Sequence, residues 1–183
     1  MGELVIVTGP PGAGKSTVAP LVADGFASSV LIPGDWFFGL WRRGAIDPWL
    51  SEAQGQTRIA GAAAAATAGA FSRGDCVVVY EGMIRPGELP GFLAAAGLTI
   101  AHYAVLFPPE TTCVARVKAR QGHGFTSVDA TRGMYRDFAE AAVPPAHLIT
   151  DAHPDPRDVA TRILDGVAAG RLLWPAAAGP ETD

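Results

Sequence analysis

The sequence has little charge and no cluster of basic residues. Only 17% of its 183 residues are charged, and 14 Lys+Arg against 18 Asp+Glu leave a formal net charge of −4. No run of Lys and Arg is longer than Arg42-Arg43. Proteins that bind DNA or RNA through its phosphates need clustered basic side chains. The composition therefore argues against nucleic acid as a partner.

The sequence is also poor in cysteine and in membrane signals. Its two cysteines, Cys76 and Cys113, fit neither a zinc-binding spacing nor a disulfide framework, which favours a reduced cytoplasmic protein. The N-terminus has no basic leader segment, and the longest weakly polar stretch, 59–71, is shorter than the roughly 20 residues of a membrane-spanning helix. We therefore expect no membrane partner, while the sequence predicts nothing about the oligomeric state.

Short apolar runs alternate with segments of helical length. The runs are rich in β-branched residues, as buried strands are, and cover residues 4–7, 30–32, 77–80, 100–107 and 147–149. The helical segments cover residues 15–26, 51–72, 87–96, 109–120, 128–141 and 156–170. This alternation predicts one α/β domain over residues 1–172, with a mainly parallel sheet covered on both faces, and a C-terminal tail over 173–183.

A phosphate-binding motif lies between the first predicted strand and the first predicted helix. Residues 9–16, Gly-Pro-Pro-Gly-Ala-Gly-Lys-Ser, match G-x-x-x-x-G-K-[ST] in the context that this motif requires. The backbone amides of such a loop surround an anion, Lys15 reaches the β- and γ-phosphates, and the Ser16 hydroxyl binds Mg²⁺. We therefore expect ATP, with GTP as the alternative, and Mg²⁺ as cofactors. The predicted nucleotide-binding residues are Gly9, Gly12, Ala13, Gly14, Lys15, Ser16 and Thr17.

Further features follow the loop in a recognisable order. They are Gly34-Asp35 after the second strand, Glu81-Gly82 after the third, Arg116 with Arg120 and His123, and the helix start at residues 155–157. Through them residues 4–170 resemble the small P-loop kinases that phosphorylate a hydroxyl of a small molecule. Gluconate, shikimate and adenylate kinases are of this type, and the resemblance is strongest to the AAA_33 or zeta-toxin and chloramphenicol phosphotransferase-like group. It implies a three-layer P-loop NTPase fold with a five-stranded parallel sheet of order 2-3-1-4-5 and a lid.

The resemblance gives roles to two carboxylates. In such kinases the acidic residue after the second strand faces the acceptor hydroxyl and takes its proton, and Asp35 occupies that position. Glu81 ends the third strand at the same edge of the sheet and could bind Mg²⁺ or hold the acceptor. Each could instead support a glycine turn, and the choice of base between Asp35 and Glu81 stays open.

Three arginines are candidates for binding the nucleotide. Arg116 and Arg120 are four residues apart and share one helix face, and the glycine-rich segment after them predicts a lid over about residues 120–127. Arg120 would neutralise charge on the transferring phosphate, Arg116 would lie near the base of the nucleotide, and Arg157 would lie beside the adenine. The alternative for Arg116 and Arg120 is a contact with solvent and with the helix dipole.

An aromatic segment over about residues 36–50 predicts a cap over the acceptor. Trp36, Phe37 and Trp41 follow Asp35 closely, and rings supply large contact area at low entropy cost. Arg85 would point into the same cleft and bind an acidic group of the acceptor or a loop carbonyl. A helical cap whose rings only bury against the domain is the alternative. The histidines show no metal-ligand spacing, so we expect no protein-built metal site.

These features predict an ATP- and Mg²⁺-dependent phosphotransferase that acts on a hydroxyl of a small metabolite or antibiotic. Lys15, the loop amides and Arg120 would stabilise the charge on the transferred group. One alternative is a kinase for the 5′-hydroxyl of nucleosides or polynucleotides. The other is a nucleotide-binding regulatory ATPase that has no acceptor.

Overall fold

The computed structural model describes residues 2–119, 125–151 and 155–175. The strands are β1 (Leu4–Thr8), β2 (Ser29–Pro33), β3 (Val77–Glu81), β4 (Ala101–Leu106), β5 (Leu148–Ile149) and β6 (Leu173–Trp174). The α-helices are α1 (Lys15–Asp24), α2 (Gln54–Ser72), α3 (Leu89–Ala96), α4 (Glu110–Ala119), α5 (Val128–Glu140) and α6 (Pro156–Ala168). Short 3₁₀ helices cover Gly34–Leu40, Ser51–Ala53 and Pro145–His147. None of the helices within the described ranges is long and apolar enough to cross a membrane.

The sheet confirms the predicted topology and extends it. Its first five strands are parallel and lie in the order β2-β3-β1-β4-β5. Within the described residues there is also a sixth strand, β6, which pairs antiparallel with β4 through Leu173 and Trp174. The predicted five-stranded parallel sheet is therefore confirmed, and β6 is an additional antiparallel strand that falls within the predicted tail, 173–183. A strand of two residues has no readable periodicity, and the Trp174 ring is held by contacts with Tyr103 and His147, with ring centroids 5.5 and 5.4 Å apart.

Two hydrophobic clusters lie on opposite faces of the sheet. Alternate residues of a strand point to opposite faces, and β1 is apolar on both. Leu4 and Ile6 pack into a cluster that contains the buried sides of α2 and α3, whereas Val5 and Val7 pack with α1 and α6. The predicted three-layer α/β arrangement is therefore present, and the carboxyl ends of the parallel strands meet at one edge.

Helix ends follow the expected local signals. The Asp155 side chain caps α6 by accepting a hydrogen bond from the Arg157 N–H at 2.8 Å, and Pro156 occupies the first helical position. The predicted helix over 51–72 begins instead as a 3₁₀ turn and becomes α-helical at Gln54. Helix α4 brings Arg116 to the phosphate loop, whereas residues 120–124 of the predicted lid lie outside the described residues.

Candidate active site

The phosphate loop has the backbone shape that its glycines allow. Gly9, Gly12 and Gly14 have φ angles of 142°, 81° and 107°, which residues with a side chain rarely adopt. A Cβ atom at Gly12 would lie 2.3 Å from the Cys113 carbonyl oxygen of α4. Lys15, the first residue of α1, donates from Nζ to the carbonyl oxygens of Gly9 at 2.9 Å and Pro10 at 3.1 Å. The loop thus surrounds the Lys15 ammonium group, which would bind the phosphates of the nucleotide.

A small cavity of about 350 Å³ lies against this loop. Its walls include loop residues Ala13, Gly14, Ser16 and Thr17 and the apolar residues Leu106, Pro108, Ile149, Pro156 and Val159. Arg116 also lines it, and its Nη1 donates to the carbonyl oxygens of Gly12 and Ala13, both at 3.3 Å. A cavity with apolar walls that begins at a phosphate loop fits the base and ribose of a nucleotide.

Arg157, another arginine predicted to bind the nucleotide, does not join this wall. Arg157 is exposed and does not line the small cavity, in which Pro156 and Val159 take the position expected for it. The helix-capping geometry explains this, because the first turn of α6 presents Pro156 and Val159 on one face. Arg120 lies outside the described residues, so its role stays a prediction.

A large cavity of about 870 Å³ adjoins the small one, because Gly14 and Ser16 line both. Lys15, Asp35 and Glu81 also line the large cavity. Pro33 of β2 is paired with Glu81 of β3, so the two strand ends are neighbours and both carboxylates reach the same cavity as the phosphate loop. The predicted grouping of Lys15, Ser16, Asp35 and Glu81 at one edge is therefore present in the structure.

These residues also fit a magnesium ion that arrives with a nucleotide. Ser16 offers a hydroxyl at the start of α1, and Glu81, only 9% exposed, offers a carboxylate in the same cavity. Hard cations such as Mg²⁺ take oxygen ligands of this kind and share them with phosphate and water. In the described part of the chain no group of three or more His, Cys, Asp or Glu side chains could hold a metal alone.

The aromatic wall of the large cavity differs from the predicted one. Trp36 is 73% exposed, Phe37 packs on the core beneath, and neither they nor Trp41 line the cavity. Phe38 and Trp49 line it instead. The segment after Asp35 is a 3₁₀ helix, in which residues three apart lie on one face, so Phe38 shares the face of Asp35. The expectation of Trp36, Phe37 and Trp41 as pocket residues is corrected accordingly.

A ring contact closes the same wall from a distant part of the chain. Trp49 meets the Phe125 ring edge to face, with centroids 5.0 Å apart, and both residues line the large cavity. Phe92 of α3 and Met134 of α5 complete its apolar surface. Sequence reasoning missed Phe92, Phe125 and Met134, because nothing local marks a residue that enters a pocket through tertiary packing.

Arg85 lies in the predicted cleft with its guanidinium already paired. Its Nη2 is 2.5 Å from Glu88 Oε1 and its Nη1 is 2.7 Å from Asp137 Oδ2 of α5. The hydrogen bond to Glu88 is the largest cause that raises the pKa of Arg85. The side chain lines the large cavity, but its charge is balanced by two carboxylates rather than by a loop carbonyl.

A buried set of hydrogen bonds anchors the loop that carries Met83, Ile84 and Arg85. Thr8 Oγ1 donates to the Ile84 carbonyl at 3.1 Å and accepts from the Ile84 N–H at 2.9 Å. Tyr103 Oη donates to the same carbonyl at 2.7 Å. Sequence reasoning missed this anchor, although Thr8 is the only polar residue of β1 and so was a readable signal.

Comparisons with known proteins agree with this geometry. The family model AAA_33, described as an AAA domain, matches residues 4–145. The chain belongs to this family. No curated protein matches the sequence at a significant level.

Solved structures resemble this AAA_33 protein over nearly its whole length. The tunicamycin resistance protein of Deinococcus radiodurans is 18% identical, with a TM-score of 0.67 over 96% of this chain and 99% of that one. A gluconokinase from Sinorhizobium meliloti is 19% identical, with a TM-score of 0.63 over 93% of each chain. Shikimate kinase from Acinetobacter baumannii in complex with shikimate is 20% identical, with a TM-score of 0.60 over 94% of this chain and 96% of that one. At these identities the likeness shows that the chain has the fold of the P-loop kinases.

Proposed function

We propose that the protein transfers the γ-phosphate of ATP, in a Mg²⁺-dependent reaction, to a hydroxyl group of a small molecule. The observation that carries this proposal is the junction of two cavities at Gly14 and Ser16. One cavity suits a nucleotide, and the other holds a carboxylate, Asp35, beside the phosphate loop. The AAA_33 family and the likeness to gluconate and shikimate kinases support the same reading. A regulatory ATPase has no use for the second cavity.

The residues take complementary roles in this reaction. Asp35 accepts the proton of the acceptor hydroxyl. At the same time the oxygen of that hydroxyl forms a bond to the γ-phosphorus, and the bond between this phosphorus and the β-γ bridging oxygen breaks. Lys15 and the loop amides stabilise the charge that shifts to the leaving diphosphate. Bound Mg²⁺, held by Ser16 and Glu81, would neutralise phosphate charge. Arg120 remains the candidate for neutralising charge on the transferred phosphoryl group.

The acceptor fits a ring-bearing compound of antibiotic or metabolite size. A volume of about 870 Å³ falls within the range of pockets that enclose drug-sized ligands. Phe38, Trp49, Phe92 and Phe125 supply flat apolar surface around it. These rings suit a compound with an apolar ring more closely than an open-chain polyol.

The charge of the large cavity disfavours a polynucleotide acceptor. Four carboxylates line it, those of Asp35, Asp47, Glu81 and Glu88. Its cations are Lys15, which serves the phosphate loop, Arg58, and Arg85, which is already paired. A phosphodiester backbone binds where cations are in excess. The 5′-hydroxyl kinase is therefore the weaker alternative.

The proposal is tested by ADP formation with Mg²⁺-ATP and a panel of acceptors. The panel contains gluconate, shikimate, uridine, chloramphenicol, tunicamycin and a 5′-hydroxyl oligonucleotide. We expect at least one small compound to stimulate turnover, and Asp35→Asn to lower that turnover about 10²- to 10⁴-fold, the usual worth of a positioned base. Asp165→Asn, on the exposed face of α6 and outside both cavities, is the matched control.

Two other outcomes would favour the alternatives. Stimulation by the oligonucleotide alone would support the 5′-hydroxyl kinase. Turnover that no compound stimulates, and that is equal in wild type and Asp35→Asn, would support a regulatory ATPase.

A further inference from the structure

We propose that the hydroxyl group of Tyr80 binds the acceptor in the large cavity. This inference rests on the proposed function and adds a residue to it. Tyr80 would hold a second polar atom of the acceptor, next to the hydroxyl that is phosphorylated. The acceptor class is then a compound with neighbouring oxygen or nitrogen atoms, such as a vicinal diol or an amino alcohol.

Tyr80 is a core residue whose side chain reaches the large cavity. Its side chain is 6% exposed, lines the large cavity, and packs on Phe92 with ring centroids 4.8 Å apart. Among the described residues none forms a hydrogen bond with Tyr80 Oη. Tyr103, in the same cluster, donates its hydroxyl to the Ile84 carbonyl at 2.7 Å. A hydroxyl at a cavity wall that has no hydrogen-bond partner among the described residues is available to an atom of a ligand.

The position of this hydroxyl is fixed by the turns that carry the two carboxylates. A Cβ atom at Gly34 would lie 2.3 Å from Tyr80 Oη, and one at Gly82 would lie 2.8 Å from it. Gly34 precedes Asp35 and Gly82 follows Glu81. The Tyr80 hydroxyl therefore lies between the turn that precedes Asp35 and the turn that follows Glu81, and all three side chains line the same cavity.

The Tyr80 hydroxyl is protonated at neutral pH and can therefore donate a hydrogen bond. Burial, together with the negative charges of Asp35, Glu81 and Glu88, raises the pKa of Tyr80. The phenol consequently keeps its proton throughout the neutral range. A protonated phenol donates to an acceptor oxygen or nitrogen and can also accept one hydrogen bond.

The test compares Tyr80→Phe with Tyr103→Phe. The probe is the panel compound that wild type phosphorylates with the lowest KM. For Tyr80→Phe we expect that KM to rise about 3- to 10-fold, the worth of one neutral hydrogen bond, with the KM for ATP and the Tm unchanged. Tyr103→Phe supplies the scale for a structural hydroxyl, and its Tm should fall by about 2–4 °C for each kcal/mol lost.

The outcomes separate this inference from the proposed function. Transfer with an unchanged acceptor KM in Tyr80→Phe would overturn the role of Tyr80 and leave the kinase reading intact. A Tm loss in Tyr80→Phe as large as that in Tyr103→Phe would also overturn it, because the hydroxyl would then serve the fold. A wild type that phosphorylates no panel compound would overturn both.

Discussion

The buried anchor of the Ile84 loop leads to a prediction about folding stability. The Ile84 carbonyl accepts hydrogen bonds from both Thr8 and Tyr103, and Thr8 Oγ1 also accepts from the Ile84 N–H. Thr8→Val keeps the shape of the side chain and removes two of these three bonds. It leaves a buried N–H without a partner, which should lower the free energy of unfolding by about 1–3 kcal/mol.

A second substitution, Tyr103→Phe, sets the sign of the coupling between the two hydroxyl groups. Tyr103→Phe should cost about 1 kcal/mol, because the Ile84 carbonyl still accepts from Thr8. In the double variant that buried carbonyl loses both donors, and the cost of an unsatisfied acceptor, about 1–3 kcal/mol, is added. The double variant should therefore be less stable than the sum of the single effects by about 1 kcal/mol or more.

Urea unfolding of the four proteins measures this cycle directly. The m-value should stay constant across them, since none of the changes alters the surface exposed on unfolding. Additivity within about 0.5 kcal/mol would refute the shared carbonyl as the origin of the coupling. A cost below about 0.5 kcal/mol for Thr8→Val would refute the anchor itself.

Three further predictions concern the phosphate loop and the thiols. Gly12→Ala forces a Cβ atom to within 2.3 Å of the Cys113 carbonyl oxygen at a φ of 81°. ATP binding measured by calorimetry should therefore weaken at least about 10-fold. The control is Gly39→Ala, whose Cβ atom would have nothing within 4 Å and which should leave ATP binding unchanged. Iodoacetamide at pH 8 should label half-buried Cys76 and spare Cys113, since burial raises the pKa of the Cys113 thiol from 9.0 to about 11. That raised pKa favours the folded state below pH 9, and the contribution should disappear as the pH rises toward 11. The unfolding free energy should therefore fall less steeply with alkaline pH in Cys113→Ala than in wild type. An equal slope in the two proteins would contradict this prediction.

The features that sequence could predict are those encoded in consecutive residues. The phosphate loop is one continuous motif between a strand and a helix, and the structure has it at β1 and α1. The strand order followed from a family resemblance, because alternation of elements fixes the α/β class but not which strands are neighbours. Asp35 and Glu81 could be placed at one edge because Glu81 ends β3 and Asp35 comes two residues after the end of β2 in the same parallel sheet.

The walls of the large cavity could not be predicted in the same way. Whether Trp36 or Phe38 faces the cavity depends on the periodicity of one short helix. The aromatic cluster suggests Trp36, which is next to Asp35, but in a 3₁₀ helix residues three apart share a face, so Phe38 lies on the face of Asp35. Phe125 enters the wall through its contact with Trp49, a contact between segments far apart in the sequence. Tyr80 looked like an ordinary strand residue, since the position of its hydroxyl between two turns is visible only when those turns are known.

One strand end connects the two halves of the proposed site. Thr8 holds the Ile84 loop, which forms part of the acceptor wall, and the next residue, Gly9, begins the phosphate loop. A displacement of the end of β1 would therefore move the acceptor wall and the phosphate cradle together. Phosphoryl transfer depends on the distance between two bound molecules, and an error of about 1 Å can cost 10²-fold in rate. Because both surfaces are attached at the end of a fully buried strand, the rigidity of the sheet fixes that distance.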